Sequence, residues 1–473
     1  MNILANHIQL AINASKYVND SSKEYALYVA ETRGIPSVWD GLKDGQRKAL
    51  YLLQKRSGEI KTISLAGEMI SSGLYVHGDS AAAESVGKLA APYLNNLPLI
   101  KGIGNFGTRI KPGEIAAPRY TYVKKNNVTE TIIYPDADIA PMMPNYDDST
   151  YSPRHYLPLI PTVLLNGISG MAPGFSTDIL PRNITDLIDA TYDVLNLKMP
   201  KTLSPKYDYC SGDVENLGPN KWAFYGKCDV VDSSTVHVKE LCPGMTHESF
   251  IEKLEAMIES KAIRNYDDNT KDIIDIVIRL DRHGAMAYDP DMDMKVLWTN
   301  KQACEYFSLV FRTTERIVVV DWDGKTIKSY DSPEELLIHF VQHRFKYFVK
   351  RYEKLKDDAE HALTFWRLLK MCYDDNLPAK LKNIKNKAEL VGLIDGIAKA
   401  NNHTVDEDQI DRIASLPTYR WAKDEYQRVL DEIQDYEDKI EGYDEVLSDD
   451  ENIWDIYRQE VKALKKVKFD IER

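Results

Sequence analysis

The strongest periodic signal lies in the last third of the chain. Val341, Phe345, Phe348, Tyr352, Leu355, Ala359, Ala362, Trp366 and Leu369 are spaced alternately four and three apart, a heptad seam along one helix. Ser332-Pro333-Glu334-Glu335 ahead of it is a start signal, with a hydroxyl cap, proline at the first helical position and glutamate at the third. A second seam at Val429, Ile433, Tyr436, Ile440, Tyr443 and Leu447 precedes a further helical stretch over 449–467. The two seams predict a long antiparallel coiled coil over 332–372 and 425–473, with 373–424 as a small helical tip.

The pattern changes upstream. Residues 205–330 carry strand-like alternation at Val236–Val238, Ile273–Ile278 and Ile317–Val320, with one helix over 248–260, which predicts an α+β module. The first quarter is a series of short helices. One opens at Ser21 with Glu24 in capping-box spacing and ends at Gly34; others cover 46–55 and 65–72. The next starts with Asp79 as N-cap and stops at Pro92. Glycine-rich turns and strand-like segments follow, so 21–155 reads as a helix-turn-helix core with a wing, after an N-terminal arm over 1–20. The fold class is therefore α+β multidomain, with a winged-helix domain, an α+β domain over 156–331, and the coiled coil with its tip.

A length of 473 residues exceeds one ordinary core, in keeping with several domains. No apolar run reaches the ~18 residues of a spanning helix, and the start lacks the basic region and apolar core of a signal peptide, so a cytoplasmic location with no membrane partner is expected. The five cysteines form no C-x-x-C pair and read as reduced core thiols. A net charge of -13 argues at first against a polyanionic partner. Its distribution does not: residues 1–125 hold 16 of the 60 Lys+Arg and 10 of the 73 Asp+Glu, a balance of +6, which leaves -19 for the rest.

Two tempting motifs fail on context. Gly102-Ile103-Gly104-Asn105-Phe106-Gly107 matches a dinucleotide fingerprint, but Thr108–Gly113 cannot open the helix such a site needs. Asp289–Asp293 lacks the glycine of a calcium loop and reads as an acidic surface turn. No phosphate-binding G-x-x-x-x-G-K-[ST] loop is present. The basic quarter instead gathers phosphate-friendly groups. Arg33, Lys43, Arg47 and Lys48 flank one helix; His77 and Ser80 stand at the amino end of another; Arg119, Lys124 and Lys125 surround Tyr120.

Arg33–Arg47 (RGIPSVWDGLKDGQR), His77-Gly78-Asp79-Ser80-Ala81, Gly104-Asn105-Phe106-Gly107, Ala116-Ala117-Pro118-Arg119-Tyr120-Thr121 and Leu164–Ala172 (LLNGISGMA) occur in this order. Together they resemble the breakage-reunion subunit of type IIA DNA topoisomerases, and the compact chain is most similar to the medium subunit of T4-like bacteriophage enzymes. The resemblance implies that Tyr120 is the nucleophile, forming a 5′-phosphotyrosyl ester with DNA. A phenol with an ordinary pKa of about 10 needs nearby positive charge or metal to react at neutral pH. Arg119 would assist as a charge partner, and Arg33, Lys43, Arg47, His77 and Ser80 would contact DNA phosphates. Tyr75, Gln46 and Lys48 depart from the family pattern around these contacts.

The resemblance further makes Met171 an apolar wedge that bends the duplex, in a tower domain over 156–331, and makes Ser80 and Glu84 part of a quinolone pocket. It implies a homodimer joined at the 373–424 tip, a C-gate. It also implies Mg²⁺ held mainly by the TOPRIM domain of a partner chain, with no metal site in this chain, and ATP on that partner, in an infected bacterial cytoplasm if the chain is phage-encoded. Ending without a further β-rich module, the chain is expected to relax and decatenate DNA and not to wrap it. The rival expectation is a non-enzymatic winged-helix architectural or regulatory DNA-binding dimer, which accounts for the basic quarter and the heptads but not for Arg119-Tyr120 within five ordered motifs.

Overall fold

The computed structural model describes residues 21–22, 25–381 and 384–469; the expected arm over 1–20 and the cap pairing through Glu24 lie outside them. The chain forms two compact units, one running to Arg344 and resuming at Arg458, the other covering Phe345–Tyr457. The architecture mixes helices with small antiparallel sheets. No described helix is long and apolar enough to cross a membrane.

In the first unit a π-helical turn at Ala30–Gly34 ends the first helical stretch. Three helices follow, α1 (Asp44–Gln54), α2 (Thr62–Ser71) and α3 (Asp79–Ala90). They bury Ala49, Leu50, Leu53, Leu65, Met69, Ala82 and Val86 among one another. The amino end of α3 differs from the expectation: Gly78, at φ 98°, is the N-cap and Asp79 is the first helical residue. The chain enters this helix through a left-handed conformation that suits glycine. Asp79 therefore sits one place inside, where its Oδ1 accepts the Ser80 N–H at 2.8 Å.

A three-stranded antiparallel sheet packs beside the helices, in the order β1 (Ile60–Lys61), β3 (Tyr122–Lys125), β2 (Ile100–Ile103). After β2 the chain makes a loop with Gly104 at φ 106° and Gly107 at φ 100°, and no helix opens there. The glycine fingerprint is thus a loop, as its context predicted. Downstream come a hairpin of β4 (Met142–Pro144) with β5 (Tyr151–Pro153) and another of β6 (Ile168–Ala172) with β7 (Phe175–Ile179), then α4 (Ile184–Leu195), capped by Asn183.

The α+β module holds a three-stranded sheet over 214–225 and 310–314 and a four-stranded sheet over 227–279. Phe250, Leu254, Val236, Val238, Ile276 and Ile278 fill its core. Its helix α5 (His247–Glu259) starts where Thr246 Oγ1 accepts the Ser249 N–H. The expected strand over 273–278 is shorter, Ile276–Arg279, because the Thr270 hydroxyl and Asn269 amide tie Asp275 into a loop that leaves Ile273 exposed. The acidic stretch Asp289–Asp293 is a surface turn, as predicted: it joins two short strands, Met286–Asp289 and Met294–Leu297. The five cysteines are all free thiols, four of them buried.

Helix α6 (Pro333–Asp374) begins as the sequence indicates: Ser332 Oγ accepts the Glu335 N–H at 3.1 Å, and Glu335 Oε2 accepts the Asp331 N–H at 2.9 Å. In the second unit it lies antiparallel to α7 (Lys423–Leu447) over part of its length, with Tyr352 beside Tyr443, Lys356 bonded to Asp444 and Arg367 to Glu437. A final helix, Asp450–Leu464, stacks Trp454 on Phe345 and Tyr457 on Phe348. The predicted seam is followed except at Leu355, which is exposed, and the buried arc widens to Leu363, Phe365, Leu368 and Cys372. The short helices at 387–400 and 407–414 cause this, since Ile394, Ile397, Ile410 and Ile413 share that core.

Candidate functional site

Tyr120 stands on a turn immediately before β3. Its N–H donates to Ala117 O at 2.9 Å, while the neighbouring Thr121 hydroxyl, buried, donates to Thr62 Oγ1 at 2.8 Å. Backbone bonds from Thr62 to Thr121 O and from Ile63 to Pro118 O fasten both sides of the turn to the start of α2. The phenol is nevertheless 69% exposed, and the Arg119 guanidinium lies 4.9 Å from its ring centre. Tyr122, two residues on, is half-buried within the sheet, paired in register with Lys61 and Ile103. An exposed side chain on an anchored turn is a presented group, with a fixed base and a free reactive end.

A cleft of about 460 Å³ is lined by Arg33, Lys43, Gln46, Tyr75 and His77 among others. Arg33 is exposed; His77 and Lys43 are half-buried. Burial, together with the facing Arg33 guanidinium, holds the His77 imidazole below its ordinary value despite the opposing pull of Asp44. Burial and then nearby Lys88 lower Lys43 in the same way. Tyr75 packs edge-on against His77 at 5.3 Å, and burial pushes its phenol up. Arg33, Lys43 and His77 thus converge, whereas Arg119 and Tyr120 do not line this cleft.

Arg47 takes another place. Its Nε and Nη2 donate to the two carboxylate oxygens of Asp40 at 2.7 and 2.9 Å, and Nη2 also reaches Leu42 O. With 6% exposure it cannot meet a phosphate without breaking this pair, which corrects the expectation of a phosphate contact. Lys48 is occupied by Asp44 at 2.7 Å, and the Gln46 side chain accepts the Lys43 N–H at the amino end of α1. Ser80 and Glu84 are exposed on α3, with Glu84 bonded to Lys88 at 2.5 Å.

Met171 lies in β6 opposite Ser176, close to the Pro173-Gly174 turn, and is 83% exposed. Among the described residues no group of three His, Cys, Asp or Glu side chains converges to hold a metal ion.

The ordered motifs carry over most of the chain: residues 33–462 match the family model for the A-type subunit of DNA gyrase/topoisomerase IV. The chain belongs to this topoisomerase family. Among its relatives are DNA topoisomerase 2 of Candida albicans, 29% identical over 81% of this chain and 26% of that protein. DNA topoisomerase 2 of Bombyx mori is 31% identical over 76% and 24%. The DNA topoisomerase medium subunit of Enterobacteria phage T4 is 29% identical over 73% of this chain and 76% of its own length. The chain thus spans about a quarter of the length of these eukaryotic relatives. In fold it is similar to the DNA-binding, cleavage and re-ligation domain of Plasmodium falciparum topoisomerase II, with a TM-score of 0.80 at 22% identity, over 94% of this chain and 63% of that one.

Within this topoisomerase fold, sequence reasoning missed three supporting features. Asp40 is buried and accepts from Arg47, Leu42 N and Tyr156 N. The Thr62–Thr121 bond beneath Tyr120 joins residues 59 apart. Gly34 and Gly170 bring two backbones into contact: a Cβ on Gly170 would lie 1.9 Å from Gly34 O. The glycines were visible within the matched motifs, but their mutual approach is a long-range contact that no local pattern encodes.

Proposed function

We propose that this chain is the breakage-reunion subunit of an ATP-dependent type IIA topoisomerase and that Tyr120 is its nucleophile. The observation that carries this reading is the pairing of an exposed Tyr120 with Arg119 on a turn anchored by buried Thr121. In the reaction the Tyr120 oxygen bonds to a backbone phosphorus and the bond to the 3′ oxygen breaks. The phenolic proton is lost and the leaving oxygen departs as a 3′ hydroxyl. Resealing is the reverse, so the phosphotyrosyl ester conserves the energy of the broken link. Arg119 supplies positive charge close to the phenol, and Arg33 and His77 supply phosphate donors along the cleft.

The three helices and three-stranded sheet act on this reading as a winged-helix domain, the sheets of 205–330 as a tower, and the second unit as a coiled coil whose tip joins two copies. Met171 is the wedge that enters a base step, a role that its exposure beside a tight turn suits. Mg²⁺ is held mainly by a TOPRIM domain on a partner chain, which also binds ATP. The residues of this chain do not form such a cation site among those described, so no step is derived through the metal.

The test mixes the full chain with its ATPase/TOPRIM partner, Mg²⁺, ATP and supercoiled or linked plasmid. Relaxation, decatenation and detergent-trapped covalent complexes are expected, all lost in Tyr120→Phe and retained in Tyr122→Phe. Tight DNA binding with no covalent complex under any condition would instead indicate an architectural DNA-binding dimer.

A further inference from the structure

Three contacts join the hairpin that carries Met171 to the segments that carry Arg33 and Lys43. Gly34 O sits against Gly170 so tightly that a Cβ there would be 1.9 Å away, and a Cβ on Gly34 would lie 2.8 Å from both Met171 O and Ala172 Cβ. From the other side Lys43 Nζ donates to Ser169 O at 3.0 Å. A Cβ on Gly170 would also stand 3.1 Å from that Nζ, so the ammonium and the glycine crossing meet at one point. A two-stranded hairpin is marginal on its own and needs such fastening to hold a direction. Unstacking a base step costs a few kcal/mol, and a wedge already fixed in place loses less freedom on entering it.

We infer that Lys43 is a positioning residue for the Met171 hairpin and not a phosphate ligand, acting with the Gly34–Gly170 crossing to fix the wedge relative to Arg33. The inference rests on the reading of Met171 as a wedge. It makes gripping the DNA backbone and bending the duplex a single event, because Arg33 is the neighbour of Gly34 and Met171 the neighbour of Gly170. The partly desolvated ammonium, already bonded to a main-chain carbonyl, suits a strut better than a mobile phosphate contact.

The experiment uses the full chain and a short duplex with a fluorescence donor and acceptor at its ends. It reads bending at saturating protein and, separately, the slope of log affinity against log salt. Lys43→Met and Gly170→Ala are both expected to reduce bending several-fold while keeping the wild-type slope. Arg33→Ala is expected to lower the slope by about 0.9, the signature of one lost phosphate contact. Gly170→Ala changes no charge and Lys43→Met adds no Cβ, so agreement between them does not depend on one variant's folding, which thermal melts check for each. A slope lowered by about 0.9 in Lys43→Met with bending intact would make Lys43 a phosphate ligand and overturn the inference. Normal bending by Gly170→Ala would overturn the crossing. If Met171→Ala bends DNA as well as wild type does, the wedge reading itself falls, and the lock with it.

Discussion

Arg47 and Asp40 form a buried ion pair at the foot of the candidate site, and Asp40 also receives two backbone N–H groups from different segments. Removing the guanidinium strands a carboxylate that is 1% exposed. Arg47→Ala is therefore expected to cost about 3–5 kcal/mol in urea unfolding, far more than the loss of a surface phosphate contact. The same region contains His155, buried and stacked on Trp39 at 4.9 Å, with burial lowering its pKa to about 3. The unfolded imidazole takes up its proton near 6.5, so below that pH the unfolded state binds more protons and stability falls as the pH drops toward 3. His155→Phe, which keeps a ring against Trp39, is expected to flatten the decline in Tm between pH 6.5 and 5; an unchanged decline would assign the acid sensitivity to other groups. At this scale the ordered motifs made Tyr120, Arg119, His77 and Met171 legible. They also suggested Arg47 as a phosphate contact, because a basic residue in a basic cluster looks the same whether it faces solvent or a buried aspartate 7 positions away.

Among the elements, the long helices were the most legible because heptad spacing is repeated along them and each repeat reports the same buried face. The seam lost its accuracy where a third set of helices joined. Leu355 fits the repeat but is 37% exposed, while Leu368 lies off it and is fully buried against the core shared with Ile394 and Ile410. Leu355→Ala is expected to change stability by no more than about 0.5 kcal/mol, and Leu368→Ala to cost about 2–5 kcal/mol, as measured by denaturant unfolding followed with a probe in the second unit. Short strands were less legible. The Ile273–Ile278 alternation fits a longer strand than forms, because side chain-to-backbone bonds from Thr270 claim Asp275 first.

For the whole molecule, the net charge of -13 conceals a basic first quarter, and this is where the cleft, Tyr120 and Arg119 lie. The α+β class and the family were readable from motif order, whereas the close contacts that give the site its rigidity join residues far apart in sequence and required the fold. The central claim is that one tyrosine of 28 carries the covalent link to DNA. The most direct measurement traps the covalent complex with partner and Mg²⁺, digests it with nuclease and trypsin, and sequences the nucleotide-bearing peptide by mass spectrometry. The peptide Tyr120–Lys124 contains both candidate phenols, and its fragments separate them. The nucleotide is expected on Tyr120; finding it on Tyr122, or on a peptide from elsewhere in the chain, would contradict the account.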